Sequence, residues 1–183
     1  MDHFFDVNRR RFLQLGIAAV ACSMAGPALA AMPRIKGIKA LGFHNLHTDE
    51  RLELAYWKDG KYNRPALAKI NHIMRDYRSG EECPINLKLL DMLHDLQIKL
   101  RNNNKIEIVS AYRSPNTNAM MARYSDGVAT HSYHIKGMAV DIRMPGTSLP
   151  KLHKVALNMR RGGVGYYADS QFVHVDVGPL RRW

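Results

Sequence analysis

Hydrophobic and polar positions divide the chain into stretches of two different periods. "IKALGFHNLHTDE" and "RLELAYWKDGKY" (residues 38–62) alternate every second position, as half-buried strands do. Asp49-Glu50 between them and an Asp59-Gly60 turn suit a short hairpin. The rhythm lengthens to that of a helix in "RPALAKINHIMRDYR", after Pro65. It is clearest in "NLKLLDMLHDLQIKLRN", where Leu87, Leu90, Met92, Leu93, Leu96 and Leu100 form one apolar stripe. "KIEIVSAYRS" predicts a strand ending at a turn marked by Ser114-Pro115-Asn116, and "GMAVDIRM" a second central strand. "SLPKLHKVALNMRR" predicts a helix, and "GGVGYY" and "FVHVDVG" two closing strands. Both element types occur in runs without strict alternation, which predicts an α+β domain with a mainly antiparallel sheet.

The first thirty residues follow neither pattern. "NRRRFLQLG" precedes the apolar run "IAAVACSMAGPALA", with small residues at Ala28 and Ala30, and this reads as an export signal cleaved after Ala30. The arginine pair ahead of Phe12-Leu13 resembles a twin-arginine signal, with Asn8 where Ser or Thr is usual. A membrane span needs about 20 apolar residues, more than this run offers. The expected organisation is therefore a signal over 1–30 and one domain over 31–183, located in the periplasm with no transmembrane span. Lipid attachment at Cys22 is the alternative, disfavoured because Ala19 stands where Leu is usual.

Composition adds two constraints. Cleavage removes Cys22 and leaves Cys83 as the only thiol, so the exported domain is not a disulfide scaffold. The net charge of +11 becomes about +10 after cleavage and points to a polyanionic partner. Export, and the absence of clustered Arg/Lys with exposed aromatics, argue against nucleic acid as that partner.

The strands also sort side chains by face. In "AVDIR", Val140 and Ile142 point one way and Ala139, Asp141 and Arg143 the other; in "FVHVDV", Val173, Val175 and Val177 oppose Phe172, His174 and Asp176. An acid and an imidazole mid-strand, each on the face away from the valines, are costly unless paired or ligating. If the two strands are near neighbours, Asp141 and His174 lie side by side, and His134 in the entering loop would close over them. His134, Asp141 and His174 then make three nitrogen and oxygen ligands with a fourth position left for water, the arrangement of a catalytic zinc. The set is too sparse and too rich in His for calcium. His131 is a further candidate nearby, while His44, His47, His72, His94 and His153 read as surface or satisfied core.

"Ser132-x-His134-x-x-Gly137-x-Ala139-x-Asp141" followed by "His174-x-Asp176" resembles the zinc peptidases of the D-Ala-D-Ala carboxypeptidase and L,D/D,D-endopeptidase superfamily. The likeness is closest to an exported murein endopeptidase branch. "SAYRSPNTN" and the "GGVGYY…FVHVDVG" ending share it, from about residue 37 to the C-terminus. The resemblance implies a small domain with helices packed on one side of the sheet and a single Zn2+ on the sheet. It further implies ligands at His134, Asp141 and His174, and hydrolysis of peptide cross-links in peptidoglycan. It also implies that Arg113 binds a substrate carbonyl or carboxylate, where a fixed cation stabilises a developing oxyanion.

The chain departs from the family at the general base. Relatives carry an acid three residues before the last ligand or a His two before it; here those positions are Gln171 and Phe172, and neither takes a proton at neutral pH. Asp176 is the first candidate in their place, its other reading being an orienter of His174. Asp169, Tyr166 and Tyr167 rank below it. Three alternatives remain: a zinc-containing peptidoglycan-binding module without catalysis, an anionic-surface binder, and a hydrolase built on Ser132, His134 and Asp141. The last lacks a nucleophile-elbow sequence.

Overall fold

The computed structural model describes residues 37–124, 129 and 131–183, so the expected export signal and Cys22 lie outside the described residues. The alternating stretches resolve into strands β1 (Ile38–Asn45), β2 (Arg51–Lys58), β3 (Lys61–Tyr62), β4 (Ile106–Ser110), β5 (Ala139–Arg143), β6 (Gly163–Tyr167), β7 (Phe172–Asp176) and β8 (Arg181–Arg182). They form a single sheet in the order β3-β2-β1-β4-β5-β7-β6-β8. Its pairings are antiparallel except β1–β4 and β6–β8, so the sheet is mixed. The parallel pairing of β1 with β4 follows from the long helical crossover between them. Asp59 and Gly60, both at positive φ, make the two-residue turn between β2 and β3.

Helices α1 (Arg64–Ile73), α2 (Leu87–Leu100) and α4 (Leu149–Met159) pack on the sheet or on one another, while α3 (Pro115–Tyr124) follows β4. Asn63 caps α1 by accepting from Ala66 N (3.2 Å), and Asn86 caps α2 by accepting from Lys88 N (2.9 Å). The core unites strand residues Leu41, Phe43, Ile106, Ile108, Val140, Ile142, Val173 and Val175 with Ile70, Leu89, Leu90, Leu93, Leu96 and Leu152 from the helices. The α2 stripe is rotated slightly from the expected one: Leu89 is fully buried and Leu87 only partly so. Once strands and helices bury their valines and leucines against each other, the polar side chains of β5 and β7 are left on the sheet's other face.

Two elements differ from the sequence expectation, and both border that face. The helix expected through Arg78 stops at Ile73, because Asp76 takes the following backbone into a turn. Its Oδ1 accepts from Arg78 N (3.0 Å) and its Oδ2 from Ser114 N (2.9 Å), an alternative that short acidic side chains offer in competition with a helix. Ser114-Pro115-Asn116, expected to mark a turn, instead starts α3. Ser114 Oγ accepts from Thr117 N (3.2 Å), and Pro115 occupies the first helical position, where its missing N–H is no loss.

Candidate metal centre and active-site cleft

Asp141 sits mid-β5 directly opposite His174 on β7, the side-by-side placement expected from the strand faces. His134 comes from the short 3-10 turn Tyr133–Lys136 that leads into β5. Ser132 caps this turn by accepting from His134 N (3.3 Å), and Gly137 ends it at φ +61. A Cβ at Gly137 would lie 2.6 Å from Pro84 O, so both the left-handed backbone and the close approach call for glycine.

The three side chains converge. His174 Nδ1 lies 2.8 Å from Asp141 Oδ1, His134 Nε2 lies 3.3 Å from His174 Nδ1, and His134 Nε2 lies 3.4 Å from Asp141 Oδ1. All three residues are buried. Each imidazole has its outer nitrogen engaged: His134 Nδ1 donates to Ala111 O (2.6 Å), and His174 Nε2 donates to Asp176 Oδ2 (3.0 Å). A neutral imidazole carries one N–H, so those bonds leave His134 Nε2 and His174 Nδ1 as bare lone pairs beside a carboxylate oxygen. Three acceptors facing one another repel unless a cation or a shared proton lies among them.

Ionisation follows the same pattern. Burial disfavours the Asp141 carboxylate, yet the charges and hydrogen bonds of His134 and His174 outweigh it and hold its pKa far below the usual range. Burial also works against a charged His174, but Asp141 and Asp176 overcome it and raise the imidazole pKa.

The donor set fits zinc. Tetrahedral zinc with bonds of about 2.0–2.1 Å separates its ligand atoms by about 3.3–3.4 Å. Two of the three edges match that spacing, and the 2.8 Å edge is shorter.

Asp176 is completely buried, on the far side of the His174 ring from Asp141. Its Oδ1 accepts from Gly163 N (3.1 Å) and Gly178 N (2.8 Å), and its Oδ2 receives Arg181 NH2 (2.6 Å) as well as His174. Burial pushes this carboxyl up, and the bonds from His174, Gly178 and Gly163 pull it below its ordinary pKa. Gly163 is required here, because a Cβ would run into the Asp176 carboxylate.

Arg113 is buried too, contrary to the common fate of an arginine at a strand end. It donates from NH1 to Asn118 Oδ1 (3.1 Å), while its Nε has no hydrogen-bond partner. Burial and the nearby Arg78 lower its pKa, against the opposing charges of Asp141 and Asp76.

These groups line a cleft of about 660 Å³. Several lining residues were not legible as site residues. Arg181 lies over the Tyr133 ring (4.7 Å) and the Trp183 ring (5.3 Å), and Trp183 Nε1 donates to Tyr167 OH (2.8 Å). His47, read as surface or core, stacks on Tyr77 at 3.8 Å and lines the cleft. His131 and Tyr167 also line it, whereas Tyr166 turns to the core side against His153 and Asp169 lies in an exposed turn. Ser132 makes no bond to a ring nitrogen of His134, since Nδ1 is taken by Ala111 O and Nε2 faces Asp141 and His174. That removes the serine-hydrolase alternative.

Residues 34–183 match the family model described as Peptidoglycan L,D-endopeptidase MepK. The chain belongs to the MepK family. It is 42% identical to the peptidoglycan L,D-endopeptidase MepK of Escherichia coli (strain K12), over 98% of both chains. It is 38% identical to the probable MepK of Haemophilus influenzae, over 99% of this chain and 98% of that one. The MepK family match thus includes every strand and helix described and all three converging side chains.

Proposed function

We propose that this protein is a zinc-dependent murein endopeptidase that hydrolyses peptide cross-links of peptidoglycan in the periplasm. The observation that carries the reading is the arrangement of acceptors: His134 Nε2, His174 Nδ1 and Asp141 Oδ1 face one another, with the outer ring nitrogens held by Ala111 O and Asp176. That arrangement prepares both tautomers for a metal before it arrives. Membership of the MepK family, whose curated relatives are named for peptidoglycan endopeptidase activity, supplies the substrate class.

Bound there, zinc would lower the pKa of a coordinated water to about 7 and polarise the scissile carbonyl. The protein's own contribution is positional. His134, Asp141 and His174 would hold the ion. Asp176 fixes His174; with every oxygen already accepting and the imidazole ring between it and the ligand centre, it is assigned to orientation and not to proton transfer. Arg113, buried at the cleft and within the field of Asp141, is assigned to the carbonyl oxygen that becomes negative during attack. Tyr167, Phe172 and Trp183 add aromatic surface to the same cleft.

The test is mass spectrometry of purified cross-linked muropeptides incubated with zinc-loaded protein, chelated protein, and chelated protein with zinc restored. Loss of dimers that chelator blocks and zinc restores is the expected outcome, and product masses name the bond. Intact dimers under all three conditions, with zinc bound and the fold verified, would establish the non-catalytic binding module instead.

A further inference from the structure

The cleft has two unlike walls. One is aromatic, formed by Tyr167, Phe172 and Trp183; the other is basic, with Arg78 and Arg113 beside His47 and Tyr77. On the basic wall the Tyr77 ring stacks on His47 (3.8 Å between centroids, 11° between planes) and carries the Arg78 guanidinium 4.2 Å from its centroid. His47 is itself pinned by a bond from Nε2 to Val109 O (2.9 Å). The Arg78 backbone is pinned by Asp76, through the turn that ends α1 early.

The guanidinium itself is left open. Among the described residues Arg78 makes no ion pair and no side-chain hydrogen bond, whereas the other two arginines lining the cleft, Arg113 and Arg181, each do. A guanidinium stacked on a fixed ring loses little further freedom on binding, and its planar fork matches a carboxylate. Arg113 is buried and Arg78 exposed, and both line the cleft, so one cation lies deep in it and the other toward solvent.

The chemistry of the cross-link supplies the matching group. In both candidate bonds, D-Ala–diaminopimelate and diaminopimelate–diaminopimelate, the amide nitrogen sits on a carbon that also bears a free carboxylate. Arg113 is the cation assigned above to the scissile carbonyl oxygen. The neighbouring carboxylate needs a second cation farther out. We propose that Arg78, presented by the His47–Tyr77 stack, is a specificity residue that binds the carboxylate beside the scissile nitrogen. This rests on the murein endopeptidase reading and adds to it the side of the cleft on which the amine half of the cross-link lies.

The experiment compares two muropeptide dimers with a diaminopimelate–diaminopimelate cross-link, one bearing the free carboxylate and the other its carboxamide. kcat/KM is measured with zinc-loaded wild type, Arg78→Gln and Arg78→Lys. Wild type is expected to prefer the acid by about tenfold or more, the range of a charge-assisted hydrogen bond at a half-open site. Arg78→Gln is expected to lose that preference through a higher KM for the acid, with less than about threefold change on the carboxamide. Arg78→Lys, which keeps the charge without the fork, falls between them. Equal losses on both dimers in Arg78→Gln, or no preference in wild type, overturn the proposal and leave the endopeptidase reading standing. Failure of zinc-loaded wild type to cleave either dimer overturns both.

Discussion

Asp176 shows how one buried carboxylate controls a neighbour's chemistry without facing the ligand centre. By accepting from His174 Nε2 it forces the ring's lone pair onto Nδ1, the atom beside Asp141. Arg181 and two backbone N–H groups stabilise its charge, which offsets the cost of burying it. In Asp176→Asn the charge that raises the basicity of His174 is gone while the volume is kept. Zinc affinity, measured by competition with a chromophoric chelator, is expected to fall about 10–100-fold. Unchanged affinity with lost turnover would instead assign Asp176 to proton transfer. His134, Asp141 and His174 were legible as ligand candidates because strand period and motif spacing both point to them. Arg181 and Trp183 were not, since their role depends on β8 pairing with β6 at the edge of the sheet.

At the scale of elements, the junction between α1 and α3 is set by a single acid. Asp76 bonds Arg78 N and Ser114 N, so it stops one helix and steadies the start of another. Burial raises its carboxyl pKa, but hydrogen bonds from Thr117, Ser114 and Arg78 overcome this and hold it at about 2. A carboxyl depressed on folding contributes stability above its unfolded pKa of about 4, and that contribution is lost as pH falls through the folded value. The urea midpoint of wild type should therefore exceed that of Asp76→Asn at pH 6, and the gap should close between about pH 4 and pH 2. A gap that persists at pH 2 would mean the variant loses packing and not charge. The helices and strands with strong apolar periods were legible from sequence, including α2 and α4. The amphipathic signal of "PNTNAMMARY" is weak, so α3 was hidden although its Ser-Pro start was in view.

At the scale of the molecule, the ligand cluster joins three separate stretches of chain: the turn before β5, β5 itself and β7. A metal that binds only this folded arrangement stabilises it by mass action. Free zinc at about 100 times its Kd should raise stability by about 2.7 kcal/mol, read as a higher urea midpoint that chelator reverses. In His134→Ala the shift should vanish, because a ligand and the closing side chain are lost together. No helix among the described residues is long and apolar enough to cross a membrane.

By itself the sequence determined the element types apart from α3, the α+β class, and the three residues able to share a metal. Those follow from local period, from turn chemistry and from the cost of an acid or imidazole in mid-strand, all of which act between near neighbours. The tertiary structure alone decided that Asp176 turns its oxygens away from the ligand centre and that Arg113 is buried. It also decided that His47, Tyr77 and Arg78 form one wall of the cleft, and that Arg181 and Trp183 help form the rest. Each of these rests on contacts between segments far apart in the chain, whose partners no local pattern specifies.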